Sequence, residues 1–571
     1  MAHPLSRFAL VLIAMLTACT TWAQTIFIDG YKAVRDNLNN RWLCSVPKER
    51  FGTDWDAVIT FDDTCAMCTI DGMLALNGDS VTFMDVTGGK DYPMQAIVGD
   101  SIISGSITFT WLPILELNGE FSNEYAPGTV SLNAPDTTES KSDMTAKLKW
   151  RGGITNTEGK HKRHYHIKFL DKNGEKQNRR LLGMRKDNHW KLDGGQMDPL
   201  RIRNRVCSDL WLDMARDPWH KAIDSTVVNG SHGRVTEVIL NGQYHGIYCL
   251  IEPVDRKQLG LVKHDTVANE FHGQQWVSKL KYPTYIFPAY NNNSESWNGN
   301  SVNYPDFEDV QPTDWSTLYN AFEFARRMDA VDNWQTLADS IGYYFDVPVL
   351  QDYLIFIVAL QALDNEVKNI YYNCYDKQVS PLLTVTPWDL DISVGAMSIS
   401  GLNVSPERPV DWIMHLAMGD MFNFSPVHRP QIIDRYWELR KSWLSTESLL
   451  SRFQTAVDEL EMSGASAREE ARWSRDSDLG GKVLDISVEM EYVTDWITRR
   501  MAYLDENVFV RNILLGDVDD DGNININDVT TLINYLLTDN EIINETNADV
   551  DEDGIINIAD VTSLIYILLN R

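Results

Sequence analysis

Twelve residues near the end of the chain constrain its fold more than any stretch before them. Asp517-Val518-Asp519-Asp520-Asp521-Gly522-Asn523-Ile524-Asn525-Ile526-Asn527-Asp528 returns 32 residues later as Asp549-Val550-Asp551-Glu552-Asp553-Gly554-Ile555-Ile556-Asn557-Ile558-Ala559-Asp560. Side-chain oxygens fall at positions 1, 3, 5, 9 and 12 of both copies, with glycine at position 6 for a sharp turn. That is the ligand register of a calcium loop, in which Asn523 and Ile555 at position 7 contribute backbone carbonyls. Behind the loops, Val529, Leu532, Ile533, Leu536 and Leu537 are mirrored by Val561, Leu564, Ile565, Leu568 and Leu569, each set one helical face. Two loop–helix units are expected to bury these faces against each other once two Ca²⁺ ions are bound. Residues 512–571 carry thirteen acidic residues against one arginine, a charge that calls for cations.

The rest of the chain must divide further, since 571 residues exceed a single hydrophobic core. A formal charge of −30 argues against nucleic acid as a partner, and no internal apolar run is long enough to span a membrane. Residues 1–23 read as an export signal: Arg7, an apolar run from Phe8 to Leu16, and Thr21-Trp22-Ala23 before the cut. Leu16-Thr17-Ala18-Cys19 also fits a bacterial lipobox that would lipidate Cys19. Release after Ala23 is preferred, giving a secreted or cell-surface protein. Cys65-Ala66-Met67-Cys68 has redox spacing, but no helix start follows it, so structural or buried thiols are expected.

Residues 24–104 show short strands such as Ala57–Phe61, Ser80–Met84 and Ala96–Val98 between Gly- and Asn-rich turns, a small β-rich domain whose aromatics read as core. Further on, Lys147 to Arg151 reads as a strand entering a Gly152-Gly153 turn, which lacks the Walker pattern. His164 to Phe169 alternates as a strand, and a helix is expected over Val206–Ala215. Glu237 to Glu252 reads as a hairpin turned at Asn241-Gly242. Residues 285–312 read as a long loop, and Ser316–Asp339 as helical with Leu318, Phe322, Phe324 and Leu337 as apolar positions.

The most informative internal stretch is Val349–Gly395. An apolar run from Val349 to Leu363 is long enough for a buried helix ending near Asp364. Two β-rich segments, Ile370–Tyr375 and Leu382–Thr386, flank a polar turn, and the second runs into Pro387-Trp388-Asp389-Leu390-Asp391. Paired as a hairpin, they set Asn369 beside Asp389, with Asp364 one loop away. Such hard oxygen ligands suit Mg²⁺. Protein kinases use a like order of parts: a proton-accepting Asp, an Asn five residues on, a hairpin, a metal Asp. Helix capping by Asp364 and a plain turn at Asn369 explain the same residues.

These residues, with Tyr165-His166-Ile167-Lys168-Phe169, Ile202-Arg203-Asn204 and Leu240-Asn241-Gly242-Gln243-Tyr244-His245-Gly246-Ile247-Tyr248-Cys249-Leu250-Ile251-Glu252, resemble the CotH kinase family over roughly residues 105–505. The resemblance implies an atypical protein-kinase-like bilobal domain that phosphorylates protein Ser or Thr from Mg²⁺–ATP. Asp364 would then be the base, Asn369, Asp389 and Asp391 the metal holders, and Lys168 the lysine offsetting phosphate charge; a solvated strand lysine is the other reading of Lys168. Arg203 would hold either phosphate or a structural carboxylate, and the segment at Glu252 would cross beside the nucleotide base. Where the family shows Arg-Gly-x-Gly-Asn, Gly153-Ile154-Thr155-Asn156 departs from it.

The tail resembles a type I dockerin, which implies a cohesin partner on a scaffold or cell surface. Loop positions 10 and 11, Ser-Thr in well-known dockerins, are Ile526-Asn527 and Ile558-Ala559 here. The expected fold is therefore multidomain α+β: a small β-rich domain (24–104), a CotH domain (105–508) and an all-α dockerin (512–571). Two other functions stay open. One is a non-catalytic CotH scaffold, since a fold does not fix function. The other is a tethered polysaccharide hydrolase, which is disfavoured because Asp389 and Asp391, two apart on an extended strand, cannot flank a sugar from both sides.

Overall fold

The computed structural model describes residues 25–61, 65–98, 101–280, 288–329, 334–396, 404–413, 421, 425–511, 514–519, 521–538 and 543–570. The expected signal segment, with Cys19, lies outside these residues, as do 401–403, 414–420 and 422–424. The chain forms two units, residues 1–503 and 504–571.

In the first unit, nine strands between Ile26 and Thr110 form one sheet around a core of Trp42, Trp55, Phe83, Tyr92 and Phe109. Aromatic edge-to-face contacts tie this core together, with Phe83 and Phe109 ring centres 5.0 Å apart. The expected boundary at residue 104 falls inside the strand Ser101–Thr110, which pairs with Arg41–Ser45, so the sheet runs on to Thr110. Cys44 is a free, buried thiol here and Cys68 is buried too, while Cys207, Cys249 and Cys374 are free and buried further on.

A closed barrel follows, built from β1 (Ile114–Gly119), β2 (Ala126–Asn133), β3 (Lys141–Arg151), β4 (His164–Phe169), β5 (His189–Asp193), β6 (Gly233–Leu240) and β7 (Gln243–Ile251). Its order is β1-β2-β3-β4-β5-β7-β6, closed by the parallel β1–β6 pair. Period-two alternation sends Ala146, Leu148, Tyr165, Ile167, Trp190 and Leu192 inward. The β6–β7 hairpin turns at Asn241 and Gly242, whose φ values of 48° and 74° both lie in the left-handed region that an Asn-Gly turn tolerates.

Helix α1 (Arg203–Met214) leads away from the barrel, starting slightly earlier than the sequence suggests. A second sheet comprises β8 (Gln274–Lys279), β9 (Ser296–Trp297), β10 (Asn300–Tyr304), β11 (Lys368–Asp376) and β12 (Ser380–Pro387), in the order β9-β10-β8-β11-β12. The expected long loop thus contributes two strands. Asn298 and Gly299 turn them tightly at φ 46° and 76°, and buried Trp297 anchors the turn; the polar composition hides both. The region 316–339 forms two helices, α2 (Ser316–Asp329) and α3 (Trp334–Ser340). Leu318, Phe322 and Phe324 are buried as expected, while the Leu337 side chain lies outside the described residues.

Helix α4 (Val347–Leu360) is buried at every position from Val349 onward and packs on β12 and on α5 (His428–Arg440). Apolar round nearly all its surface, with buried Asp352 paired to Arg216 and Arg435, it is an interior helix. Helices α6 (Thr446–Met462), α7 (Ala465–Trp473) and α8 (Ile486–Asn507) complete the unit, with Trp473 and Trp496 buried as packing residues. Among the described residues no helix is long and apolar enough to cross a membrane.

In the second unit α9 (Ile526–Thr538) and α11 (Ile558–Leu569) follow the two acidic loops, with the short α10 (Glu545–Ala548) between them. Their core is Val518, Val529, Leu532, Ala548, Val550, Val561 and Leu564. The expected apolar faces bury only in part. Val529, Leu532, Val561 and Leu564 go inside, whereas Ile533, Leu537, Ile565 and Leu569 remain exposed. Two helices of about three turns cover one narrow stripe of each other, not a five-residue face.

Candidate active site at the hairpin mouth

Helix α4 stops at Gln361, whose left-handed φ of 50° caps it, and a 3₁₀ turn over Leu363–Glu366 presents Asp364. Strands β11 and β12 pair antiparallel with Ile370 opposite Pro387, as the hairpin reading requires. One step further out, the Trp388 N–H donates to the Asn369 carbonyl at 2.9 Å. Asn369 and Asp389, on the two rims of this mouth, adopt φ of 58° and 60°. Non-glycine residues pay for that conformation and hold it where surrounding structure enforces it. Asn365 does the enforcing. Fully buried, it donates from Nδ2 to the Asn369 carbonyl at 3.3 Å and to the Trp388 carbonyl at 2.9 Å. Its role had no sequence signal beyond standing next to Asp364.

The barrel supplies a fourth carboxylate. Asp193 ends β5, and its Oδ1 lies 2.7 Å from His164 Nδ1. Asn204, in the first turn of α1, donates to Asp193 through Nδ2 and accepts the Leu390 N–H on Oδ1 at 3.0 Å. One amide thereby ties the barrel to the segment between Asp389 and Asp391. Burial lifts the Asp391 carboxyl well above the usual carboxylate range, reinforced by Asp389, Asp193, Asp198 and Asp364. Asp389 is also raised by burial, against the pull of Arg151. Asp364 accepts an ion pair from Lys368. Hard oxygens that repel one another fit a divalent cation. Among the described residues no three of these carboxylates place oxygens within 4.8 Å of one another. Mg²⁺ fits such a sparse set, since it keeps only one or two carboxylates and takes phosphate oxygens besides.

Above the acids lies a face of cations. Arg151, Lys149 and Lys147 of β3 pair with His164, His166 and Lys168 of β4, and Lys168 and His166 pair in turn with His189 and Lys191 of β5. Paired residues share a face, so all of these point away from the barrel core. Lys191 is only 8% exposed, and its Nζ sits 4.0 Å over the Trp388 ring. Burial, then Arg151, pushes its ammonium down to about 7, while Asp255 and Asp389 pull the other way. Arg151 Cζ lies 5.6 Å from the centre of the same ring.

Lys168 stands elsewhere: its Nζ is 4.4 Å over Tyr125, and the charges that act on it are Lys149, Lys176, Asp306 and Glu308, none of them in the acidic group. The lysine brought to the acids is Lys191, not Lys168. Strand alternation from Asn188 to Asp193 puts Lys191 on the outward face, and only the barrel's closure brings it over the acids.

The acidic loops of the second unit are built more simply. Asp517, Asp519 and Asp521 bring carboxylate oxygens within 4.8 Å of one another, as do Asp549, Asp551 and Asp553. Asp528 receives the N–H groups of Val518 and Asn525, both at 2.7 Å, and Asp560 those of Val550 at 2.7 Å and Asn557 at 2.8 Å, so position 12 closes each loop. Burial and neighbouring aspartates hold Asp519 and Asp551 above the usual range. Asp549 Oδ1 is shut off from solvent with no hydrogen-bond partner, an acceptor that a cation would satisfy.

A profile described as CotH kinase protein matches residues 148–504, more than half of the chain. The protein belongs to the CotH kinase family. A type I dockerin domain profile matches residues 515–569, and type I dockerins generally bind calcium. No curated protein matches the chain.

Within the CotH domain two expected ligand residues turn out to be structural. Arg203 is fully buried, holding Asp198 and Glu489 at 2.5 Å and the Val394 carbonyl at 3.4 Å. Of its two open uses it serves structural carboxylates, bracing the segment after Asp391 against α8. Glu252 is equally committed. Its carboxylate accepts from Arg185 N–H at 2.6 Å, Gln258 at 3.1 Å and His232 at 3.1 Å. Its own N–H donates to the His232 carbonyl and its carbonyl accepts from the Ser231 hydroxyl, contacts that serve the fold.

Proposed function

We propose that the CotH domain transfers a phosphoryl group from Mg²⁺-bound ATP to Ser or Thr hydroxyls of secreted or surface proteins, and that the dockerin tethers it to a cohesin-bearing assembly. The observation that carries this reading is the juxtaposition of opposite charges. A buried Lys191 with no ion pair among the described residues, and Arg151 beside it, stand over Asp389 and Asp391, for which the described residues supply no ion-pair partner. Neither half suits a neutral ligand, and a metal–polyphosphate satisfies both.

In this mechanism Asp364 orients the acceptor hydroxyl and takes its proton. Asn369, Asp389 and Asp391 would hold Mg²⁺, which when bound neutralises developing charge on the transferred group. Lys191 and Arg151 offset the remaining phosphate charge, and Asn365 keeps both rims of the mouth in their left-handed conformation. Positioning and electrostatics of this kind carry most of the catalysis in phosphoryl transfer. The test is Mg²⁺-dependent label transfer from ATP to co-secreted proteins. No transfer by the intact protein under any divalent cation sinks the enzyme reading.

One observation favours a non-catalytic scaffold: Lys368 sits on Asp364, the residue that must accept the proton. Nucleotide binding without transfer, unchanged when Lys368 becomes Ala, would select that alternative.

For the tether, Ile526 and Ile558 at loop position 10 are 67% and 68% exposed. Leu537 and Leu569 repeat the pattern at 76% and 80%. Exposed apolar residues duplicated at a fixed offset suit a partner that buries them. A cohesin that still binds an Ile526→Asp, Ile558→Asp protein docks elsewhere.

A further inference from the structure

The cation face above the hairpin mouth is longer than a triphosphate needs. Strand pairing arranges its outward side chains in three ranks. The first is Arg151, His164 and Asp193; the second Lys149, His166 and Lys191; the third Lys147, Lys168 and His189. Two residues of strand separate successive ranks by about 6.6 Å, so the third lies about 13 Å from the first. A triphosphate whose terminal group meets the acids at the first rank reaches the second.

Beyond it the second and third ranks hold four lysines, and among the described residues none of them forms an ion pair. In a chain of net charge −30 such unpaired cations are a conspicuous concentration. Lys149 and Lys168 both lean over the Tyr125 ring, at 4.5 and 4.4 Å, which collects their charge at one spot. His166 and His189 bond to each other at 2.7 Å between these lysines, and burial keeps both largely uncharged, His189 at about 3. None of the nine outward positions carries an apolar side chain. A purine seeks an apolar slot, whereas this continuation offers charge.

We infer that the three ranks form one continuous site for a linear phosphate chain longer than a triphosphate, and that inorganic polyphosphate serves beside ATP as a second phosphoryl donor. This rests on the phosphotransfer reading above. In the step, the acceptor oxygen bonds the terminal phosphorus as the last P–O–P bridge breaks. The hydroxyl proton passes to Asp364, and the bridging oxygen leaves with a chain one phosphate shorter. No oxidant or further reactant is needed.

The experiment compares linear hexaphosphate with ATP, both with Mg²⁺, for competitive binding to the full-length protein and for phosphate transfer to a Ser/Thr acceptor. Hexaphosphate should bind at least about tenfold more tightly. The double variant Lys147→Ala, Lys168→Ala should erase that advantage while changing ATP affinity less than about threefold. Equal affinity for the two, or an advantage that survives the double variant, overturns the proposal. So does equal binding of a polyaspartate peptide of matched charge, which would mark a general polyanion patch. Transfer from ATP with none from hexaphosphate defeats the donor claim and leaves the kinase reading standing; transfer from neither defeats both.

Discussion

In each dockerin loop, three aspartates spaced two apart put ligand oxygens within 4.8 Å of one another. At the hairpin mouth Asp193, Asp364, Asp389 and Asp391 come from the barrel, a 3₁₀ turn and the end of β12. No three converge as tightly among the described residues. The loops nearly complete a cation's shell from one short segment, and among the described residues no cation forms an ion pair with Asp519, Asp521, Asp549, Asp551 or Asp553. The mouth supplies part of a shell and roofs it with Lys191 and Arg151. A cation alone is the natural occupant of the first, and a cation bringing an anion with it the natural occupant of the second. On the proposed function, that contrast separates a site that stabilises a fold from one that handles a reactive ligand.

The sharpest way to break the contrast is to exchange the damage. Asp389→Ala should lower phosphoryl transfer on the order of 10³-fold, with calcium binding by the dockerin unaltered. Asp517→Ala with Asp549→Ala should do the reverse. Label transfer and calcium titration on the same two proteins decide it, and a shared loss would show that the two sites are not independent.

Next in size is the brace behind the mouth. Arg203→Met leaves Asp198 and Glu489 without their partner in a fully buried setting. Breaking one side of a buried ion pair costs about 3–5 kcal/mol. Chemical denaturation of the CotH unit should show that loss. Unaltered stability with weakened nucleotide binding would instead restore Arg203 as a phosphate ligand.

Calcium removal is the corresponding test of the second unit. A ligand at a hundredfold excess over its Kd stabilises by about 2.7 kcal/mol. Chelation should therefore lower the melting of residues 504–571 while leaving the CotH transition in place. The loop carboxyls give the sign. Asp519 and Asp551 are raised in the fold by burial and by like charges. Their contribution to the calcium-free fold is present at low pH and lost as pH rises through their folded values. Chelated protein should thus regain stability on mild acidification, and calcium-loaded protein should not.

How much of this could be read from residues alone follows from the same contrast. The dockerin loops were legible because every ligand lies in one twelve-residue window, repeated. The hairpin and its Asn369–Asp389 neighbourhood were legible because turn chemistry and apolar runs set the register of β11 and β12. Asp193, Lys191 and Arg151 were not, because only closure of the barrel brings β3 and β5 over a hairpin some two hundred residues away. Lys168 and Lys191 lie on the same outward face of neighbouring strands, and which one meets the acids depends on the stagger between them. Asn365 escaped for a different reason: its task is to hold two backbone carbonyls, which leaves no mark on residue type.

The smallest predicted effect uses acid–base chemistry to sharpen the distinction between the regions. Burial, with Arg151 adding to it, holds the Lys191 ammonium at about 7 in the free protein. A polyphosphate prefers the protonated form, so its affinity should fall as pH rises above that value, by at most about tenfold per unit. On the acid side Asp389 and Asp391, both raised, take up protons as pH falls and release the metal. Nucleotide binding should therefore pass through a maximum near neutrality. Lys191→Arg should flatten the basic limb alone, because a guanidinium stays charged throughout. Residues 504–571 contain neither lysine nor histidine, so calcium binding there should stay flat between pH 7 and 9. A basic limb that persists in Lys191→Arg would mean that a group other than Lys191 carries the titration beside the phosphate.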